Sequence, residues 1–333
     1  MTTQNGQGIA LVTGASGFVG SHLVEYLIGR GRKVRCLVRK TSNLKYLNQD
    51  GVQVAYGGLD GGTDWSAALD GVDTIYHVAG LTFARRPQDY FAVNHKGTEA
   101  LVAAALARRG DIAKLVYISS LAAVGPSPDG QPVDEATENR PISPYGRSKL
   151  LGEEAVRAAG DLLNVTIIRP PAVYGPRDYA IYEFFKAIAR GIAPRIGRTE
   201  MTVSLVHVRD LAEGIVLGAE IDGSRGRTYF ISSDMGYSVN SINELLMKIL
   251  GRRARAVAIP KTLAYGMAMA AEAVSAVLRR PPVINRDKVR DLSQQSWVCS
   301  IAAAKRELGY SQKIPLEAGL RDTYEWYRKE GWL

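Results

Sequence analysis

Tyr145 and Lys149 stand four residues apart in the stretch YGRSK, and a serine pair, Ser119-Ser120, precedes them in the chain. On a helix that spacing puts both side chains on one face, so the lysine ammonium can sit beside the phenol. A phenol of ordinary pKa, about 10, is a poor base at neutral pH, and a neighbouring cation favours its ionised form. A serine hydroxyl nearby can hold the oxygen of a reacting alcohol or carbonyl. Taken alone, YxxxK also describes a surface tyrosine and a solvated lysine, so its weight depends on what the rest of the chain brings to it. The second pattern is VTGASGFVGSHL, residues 12–23, with Gly14, Gly17 and Gly20 spaced by three. At a strand-to-helix junction Gly14 permits the tight turn, Gly17 lets the backbone approach a pyrophosphate and Gly20 allows close helix packing. The helix N-terminus then favours an anion. A dinucleotide carrying an oxidised nicotinamide would add to the lysine's stabilisation of a phenolate.

The elements that must position these residues show in the period of the sequence. Residues 9–12 form a short apolar run, a helical pattern follows over 18–27, Gly29 and Gly31 stop it, and a second apolar run covers 34–38. Further strand-like runs occur at 74–78, 115–118 and 165–168, separated by helical patterns such as 100–108 and 150–158. This alternation predicts an α/β fold, a Rossmann-type doubly wound parallel sheet covered by helices on both faces. After Gly175 the rhythm breaks. Pro176 and Pro194 bracket one helix, 203–208 reads as a returning strand, and a long tail follows Ser232. The expected division is a dinucleotide-binding domain over 1–172 with 203–232, and a smaller, discontinuous substrate-binding lobe over 173–202 with 233–333.

With 333 residues and 46% hydrophobic content, the chain can bury one large core, or a core and a smaller second one. The formal charge of +9 admits nucleic acid, an anionic membrane surface or an anionic cofactor as partner. Its basic residues are scattered, with short clusters such as 252–255 and no interleaved aromatic pattern, so nucleic acid is not expected. Cys36 and Cys299 lie in apolar stretches without a CxxC or Cys/His cluster, which argues against a disulfide framework or a metal site and fits a reducing cytoplasm. The opening MTTQNGQG lacks the basic and apolar regions of an export signal, and no apolar run reaches the ~20 residues of a spanning helix.

In order, TGASGFVG, HVAG (77–80), Asn94 in VNHKGT, YISS (117–120), YGRSK, RPPAVYGP (169–176) and HVRDLAEGI (207–215) cover nearly the whole chain. Together they resemble the extended short-chain dehydrogenase/reductase family, of the NAD-dependent epimerase/dehydratase superfamily. The resemblance implies hydride transfer at nicotinamide C4, with Tyr145 as acid/base, Lys149 lowering its pKa and binding the nicotinamide ribose, Ser120 orienting the substrate and Asn94 holding a water in a proton relay. Ser120 is preferred to Ser119 because Gly125 lies five residues after it, as in the family pattern. Asn94 can also be read as a helix-breaking residue that satisfies a local backbone group. By the same resemblance Gly14, Ser16, Gly17, Phe18, Val19, Gly20, Arg39, Leu59, Asp60, Val78, Ala79, Gly80, Tyr145, Lys149, Pro170 and Val173 would contact the cofactor.

Departures from the family pattern bear on specificity. The second strand ends in Val38-Arg39-Lys40 with no acidic residue to accept from a ribose 2′-OH, and a guanidinium suits a 2′-phosphate, so NADP is expected over NAD. Arg39 could instead be solvated, or stack on adenine in an NAD enzyme. Where the family shows Gly-Asp-Leu this chain reads Gly57-Gly58-Leu59, which leaves adenine without a side-chain contact unless Asp60 substitutes. Family dehydratases carry Asp-Glu after the serine, whereas Leu121-Ala122 stand here. The diphosphate-binding Asn and Arg of nucleotide-sugar enzymes align with Ala172 and Val203, neither of which can pair a diphosphate. Arg177, Arg195 or Arg198 remain as substitutes or as surface charges. With Leu81, Phe83, Leu121 and Ala172 as candidate lining, the pocket reads as apolar, although each of the four could be core. That resembles the 3β-hydroxysteroid dehydrogenase and dihydroflavonol reductase branches. The expected activity is NAD(P)-dependent oxidoreduction of a hydrophobic secondary alcohol or ketone. A nucleotide-sugar 4-epimerase and a non-catalytic dinucleotide-sensing protein stay open as alternatives.

Two expectations concern partners. The resemblance implies a homodimer through a helix pair that includes YGRSK. The stretch 262–280, TLAYGMAMAAEAVSAVLRR, is apolar almost all round and as a helix of about 28 Å falls short of a bilayer core. It reads either as a buried helix of the second lobe, or as a lid or interfacial helix whose flanking Lys261 and Arg279-Arg280 meet anionic headgroups. The expected location is cytoplasmic, with membrane association through this segment.

Overall fold

The computed structural model describes residues 8–47, 50–59, 62–197, 199–278 and 285–333; Asp60, Arg198 and Arg279-Arg280, singled out above, lie outside the described residues. The first half of the chain runs β1 (Ile9–Thr13), α1 (Phe18–Gly29), β2 (Lys33–Val38), β3 (Val52–Tyr56), α2 (Trp65–Ala68), β4 (Val72–His77), α3 (Pro87–Tyr90) and a π-helical turn over Phe91–Lys96. It continues with α4 (Gly97–Ala107), β5 (Lys114–Ile118), α5 (Pro144–Ala158) and β6 (Val165–Arg169). The second half runs β7 (Ala172–Tyr174), α6 (Tyr182–Ala189), β8 (Ile192–Ile196), β9 (Thr202–His207), α7 (Val208–Glu220), β10 (Thr228–Phe230) and β11 (Gly236–Ser238). Then follow α8 (Val239–Leu250), β12 (Arg255–Ile259), α9 (Lys261–Leu278), α10 (Arg286–Leu292), β13 (Ser296–Trp297) and α11 (Leu316–Lys329).

Seven parallel strands pair in the order β10-β6-β5-β4-β1-β2-β3. Every residue of β5 and β6 is buried, which is why these strands read as continuous apolar runs rather than alternating ones. One face packs under α1 and α7, around Leu23, Leu27, Leu211 and Ile215. The other packs under α4 and α5, around Leu101, Ala105 and Val156. This is the Rossmann-type α/β architecture. Strand order reverses between β1 and β4, so the loops leaving the C-terminal ends of β1, β4 and β5 border one crevice, where open α/β sheets take their ligands.

The run at 203–208 does not return to this sheet. As β9 it pairs parallel with β7 and β13 and antiparallel with β11, and the seventh strand of the large sheet is β10, beside β6. All but the first residue of β9 is buried, and a run buried on both faces carries no mark of which sheet buries it. The second lobe has its own core, with Phe185, Leu246, Leu320 and Tyr327 joining α6, α8 and α11. Beside it, β8 and β12 form a parallel ribbon on which α9 and α10 rest. Among the described residues, no helix is long and apolar enough to cross a membrane.

Candidate active site

The glycine turn is built by close approach. Gly14 has φ +67°, and a Cβ there would lie 2.7 Å from the Ala79 Cα. A Cβ on Gly20 would lie 2.2 Å from the Gly14 carbonyl oxygen, so α1 is pressed against its own entry turn. Gly17 caps α1 without any side-chain bond, which leaves first-turn N–H groups available to an anion. The facing loop is pinned by a buried relay. The Ala79 N–H donates to Thr13 Oγ1 at 3.1 Å, Thr13 Oγ1 lies 2.8 Å from His77 Nδ1, and His77 Nε2 lies 2.9 Å from Thr98 Oγ1. Burial, and then the charge of Lys149, hold His77 down at about 3, so its ring stays neutral. Ser16, Phe18 and Val19 are half-buried on this turn, as are Val78 and Ala79 across from it, while Gly80 is exposed. At the end of β2, Arg39 is exposed and its guanidinium pairs with no described residue. Leu59 packs on Gly97, and the loop behind it closes when the Gly58 N–H donates to Thr63 Oγ1 at 2.8 Å. Pro170 accepts at its carbonyl from the Leu121 N–H at 2.8 Å, and Val173 is half-buried on β7. A bare helix N-terminus, a backbone that admits close approach and an unpaired guanidinium fit the diphosphate and 2′-phosphate of a dinucleotide.

The helix α5 starts at Ser143, whose Oγ accepts from the Gly146 N–H, with Pro144 at the first helical position. A Cβ on Gly146 would lie 2.2 Å from the Ala122 carbonyl oxygen, so only glycine lets the helix rest on the Ser120–Ala122 turn. That contact brings the Tyr145 phenol near enough to Ser120 for the hydroxyl to bear on its ionisation. Ser120 Oγ also accepts from the Ala122 N–H at 3.1 Å, which fixes the hydroxyl's position. Lys149 is buried, its Nζ donating to the Ile118 carbonyl at 2.6 Å and lying 4.3 Å from the Tyr117 ring centroid. Burial lowers its pKa to about 7, against the pull of Glu153 one turn along. Burial pushes the Tyr145 phenol up to about 12, although the nearby Ser120 hydroxyl pulls it back. The expectation that Lys149 lowers the tyrosine's pKa therefore does not describe the free chain. The ammonium is engaged with a carbonyl and a ring, and burial leaves the phenol protonated at neutral pH.

Asn94, fully buried on the π-helical turn, accepts at Oδ1 from the Leu81 N–H at 2.7 Å and donates from Nδ2 to the Leu81 carbonyl at 3.0 Å. The same nitrogen donates to Ser148 Oγ at 2.9 Å, and that hydroxyl donates to the Tyr145 carbonyl at 2.7 Å. The backbone group it satisfies is thus distant in sequence, and the amide straps the loop after β4 to α5. Of the candidate lining, Leu81 is half-buried and Phe83 and Ala172 are exposed, whereas Leu121 is 3% exposed inside the main core. Leu121 packs the sheet and presents almost no open surface. Val203 is buried on β9. Arg177, offered above as a diphosphate clamp, is committed elsewhere. It bonds Ser21 at 3.0 Å and Glu25, and lies 4.1 Å from the Tyr46 ring centroid. Arg195 is half-buried, with its Nε unpartnered.

Sequence reasoning missed the cover of this site. Tyr90 sets its ring 5.9 Å from that of Tyr145, and α10 of the second lobe reaches the entry to α5, where Arg290 Nη1 donates to the Ile142 carbonyl at 3.1 Å. Asn285 at its start caps α10 by accepting from the Lys288 N–H at 2.7 Å, and the charge of Asp291 acts on Tyr145. Asp291 Oδ1 is buried with no partner among the described residues, and burial raises the carboxyl to about 6. No local motif marks it, because the contact joins segments far apart in sequence. An ionised Asp291 disfavours the phenolate, so Asp291→Asn is expected to move the alkaline limb of the kcat/KM profile to lower pH and to remove any inflection near 6. A profile identical to wild type excludes this coupling.

A parallel-sheet dinucleotide fold with a Ser-Tyr-Lys constellation at its crevice defines a class of enzymes, and comparison with known proteins agrees. Residues 10–232 match the model of the NAD dependent epimerase/dehydratase family, and the chain belongs to that family. It is 32% identical to a ceramide reductase of Caulobacter vibrioides over 98% of this chain and 96% of that protein. It is 31% identical to sterol demethylase protein B of Methylococcus capsulatus over 97% of this chain and 99% of that protein. The crystal structure of gox2253 superposes with a TM-score of 0.80 at 30% identity, covering 98% of this chain and 99% of that one.

Proposed function

We propose that this chain is an NADP(H)-dependent reductase of a ketone carried by an apolar substrate, or the dehydrogenase of the corresponding secondary alcohol. The observation that carries the reading is the packing of the Tyr145–Lys149 turn of α5 onto the Ser120–Ala122 turn at the end of β5, with Gly146 against the Ala122 carbonyl and Lys149 Nζ on the Ile118 carbonyl. When bound, the dinucleotide supplies the hydride or accepts it. Ser120 and Tyr145 hold the carbonyl oxygen between two hydroxyls, and Tyr145 gives it a proton as it becomes an alkoxide. Lys149, with a pKa of about 7, gains charge as anionic groups enter and then favours the phenolate left behind. Asn94 keeps the loop at Leu81 in place through these steps. Kinship to proteins named for ceramide and sterol chemistry supports an apolar substrate, as does the lack of a diphosphate partner at Ala172 and Val203.

Titration with both cofactors tests the reading. NADPH is expected to bind at least ~10-fold tighter than NADH, and Arg39→Asp to reverse the preference, since a guanidinium–phosphate pair is among the stronger charge-assisted contacts. Tighter NADH binding by the wild type, or an unmoved preference in the variant, removes NADP from the assignment. Turnover of a UDP- or GDP-sugar at micromolar KM would overturn the apolar substrate.

A further inference from the structure

The second lobe gathers its exposed apolar side chains on one substructure. From the β8–β12 ribbon, Pro260 leads into α9, and α10 packs alongside. These pieces share a small core in which Ala264, Ala268 and Val289 meet Ile196, Ile259 and Tyr265. The larger side chains of α9 at Leu263, Met267, Met269 and Val274 point the other way, 50–57% exposed. Leu263, Met267 and Val274 fall on one helical face, with the exposed Gly266 and Ala270 between them. Val257 and Ile192 on the ribbon are exposed as well. Glu272, the one acid on α9, is neutralised by Arg286 at 2.8 Å. The flank is basic. Arg252, Arg253 and Arg255 are exposed at the start of β12 and ion-pair with no described residue, and Lys261 is exposed at the first turn of α9.

We propose that this face is a docking surface for an anionic lipid bilayer, with α9 lying along the headgroup boundary and the arginines of 252–255 meeting lipid phosphates. Apolar residues on one side of a helix, with cations beside them and no spanning length, are the features of an interfacial element. A second copy of this chain fits the face less well, because a two-fold contact through α9 would bring two sets of unpaired arginines together. The proposal deepens the apolar-substrate reading and rests on it for its use. α10 packs on α9 and, through Arg290 Nη1 on the Ile142 carbonyl at 3.1 Å, touches the entry to α5, so the bilayer contact lies next to the cover of the site.

Flotation with vesicles of phosphatidylcholine, alone or mixed with phosphatidylglycerol, tests it. The full chain is expected to float with the anionic vesicles and to partition on the order of 100-fold less onto neutral ones, since each of the three arginines gains about fivefold at an anionic surface. Met267→Glu with Met269→Glu, and separately Arg252→Glu with Arg253→Glu and Arg255→Glu, are each expected to abolish flotation while NADPH affinity and melting temperature hold. Both sets are exposed, and should the methionine variant melt early, the arginine variant decides alone. Wild type that stays unbound, variants that float as well as wild type, or a dimer that the methionine variant splits without any wild-type flotation each overturn the surface. Flotation needs no turnover, so the two readings fail separately. A chain that floats but reduces no apolar ketone loses the substrate assignment, and one that reduces such ketones in solution but never floats loses the surface.

Discussion

Tyr145→Phe is expected to lower kcat by at least ~100-fold, the scale of a positioned acid/base, while cofactor affinity stays near wild type. The substitution removes the hydroxyl and keeps the ring that packs 5.9 Å from Tyr90, so the cover by α10 has no reason to move. The phenol's high pKa gives the effect a direction. With the proton held until about pH 12 in the free chain, the tyrosine is poised to act as an acid, and reduction should be the direction that keeps its rate across neutral pH. Oxidation needs the phenolate, and its rate should rise with pH until Lys149 and bound anions have brought the tyrosine into range. Single-turnover measurements of both directions from pH 6 to about 10 read this out. Wild-type kcat in the variant removes Tyr145 from the chemistry.

The largest expected loss of stability follows from Arg169→Met. Arg169 at the end of β6 is 1% exposed and grips Glu153 of α5 with two bonds, Nε to Oε1 at 2.8 Å and an Nη2 bond to Oε2 at 2.7 Å. The same Nη2 donates to Asn139 at 3.0 Å. Burial alone would push the Glu153 carboxyl up, but the Arg169 bonds outweigh it and hold it below the ordinary carboxylate range. A carboxyl with a depressed folded pKa stabilises the fold above its unfolded pKa, and that contribution is lost as the pH falls through the folded value. Without Arg169 the carboxylate keeps only Arg157, which is partly open to solvent, and a buried charge is left under-compensated. Removing one partner of a buried pair costs about 3–5 kcal/mol, to be read as a drop in the urea midpoint at pH 7. The double change Arg169→Met with Glu153→Met should recover most of the loss, because no charge then remains to be desolvated. A double variant as unstable as the single one would show that packing, not the pair, sets the cost. The strand end matters to the site because Glu153 stands one helical turn from Lys149 and holds that lysine's pKa up.

Local signals in the sequence determined a large part of this protein. The glycine turn, the fully buried strands β5 and β6 and the Tyr145–Lys149 spacing each depend on residues within a turn or two of one another, where backbone geometry dictates composition. Order along the chain then sufficed for the doubly wound sheet, since short connections and helical crossovers leave few topologies. The family, too, was legible, because its motifs recur at fixed places in that order. Tertiary structure decided what depends on enclosure. The placement of β9 in the small sheet, the burial of Leu121, the capture of Arg177 by α1 and the approach of Asp291 to Tyr145 all join segments far apart, and a residue's type records that it prefers burial but not which neighbour buries it. The charge states follow the same division. Spacing placed Lys149 and Tyr145 on one helical face, but only the packed site shows that lost hydration lowers the lysine to about 7 and raises the phenol to about 12 in the free chain.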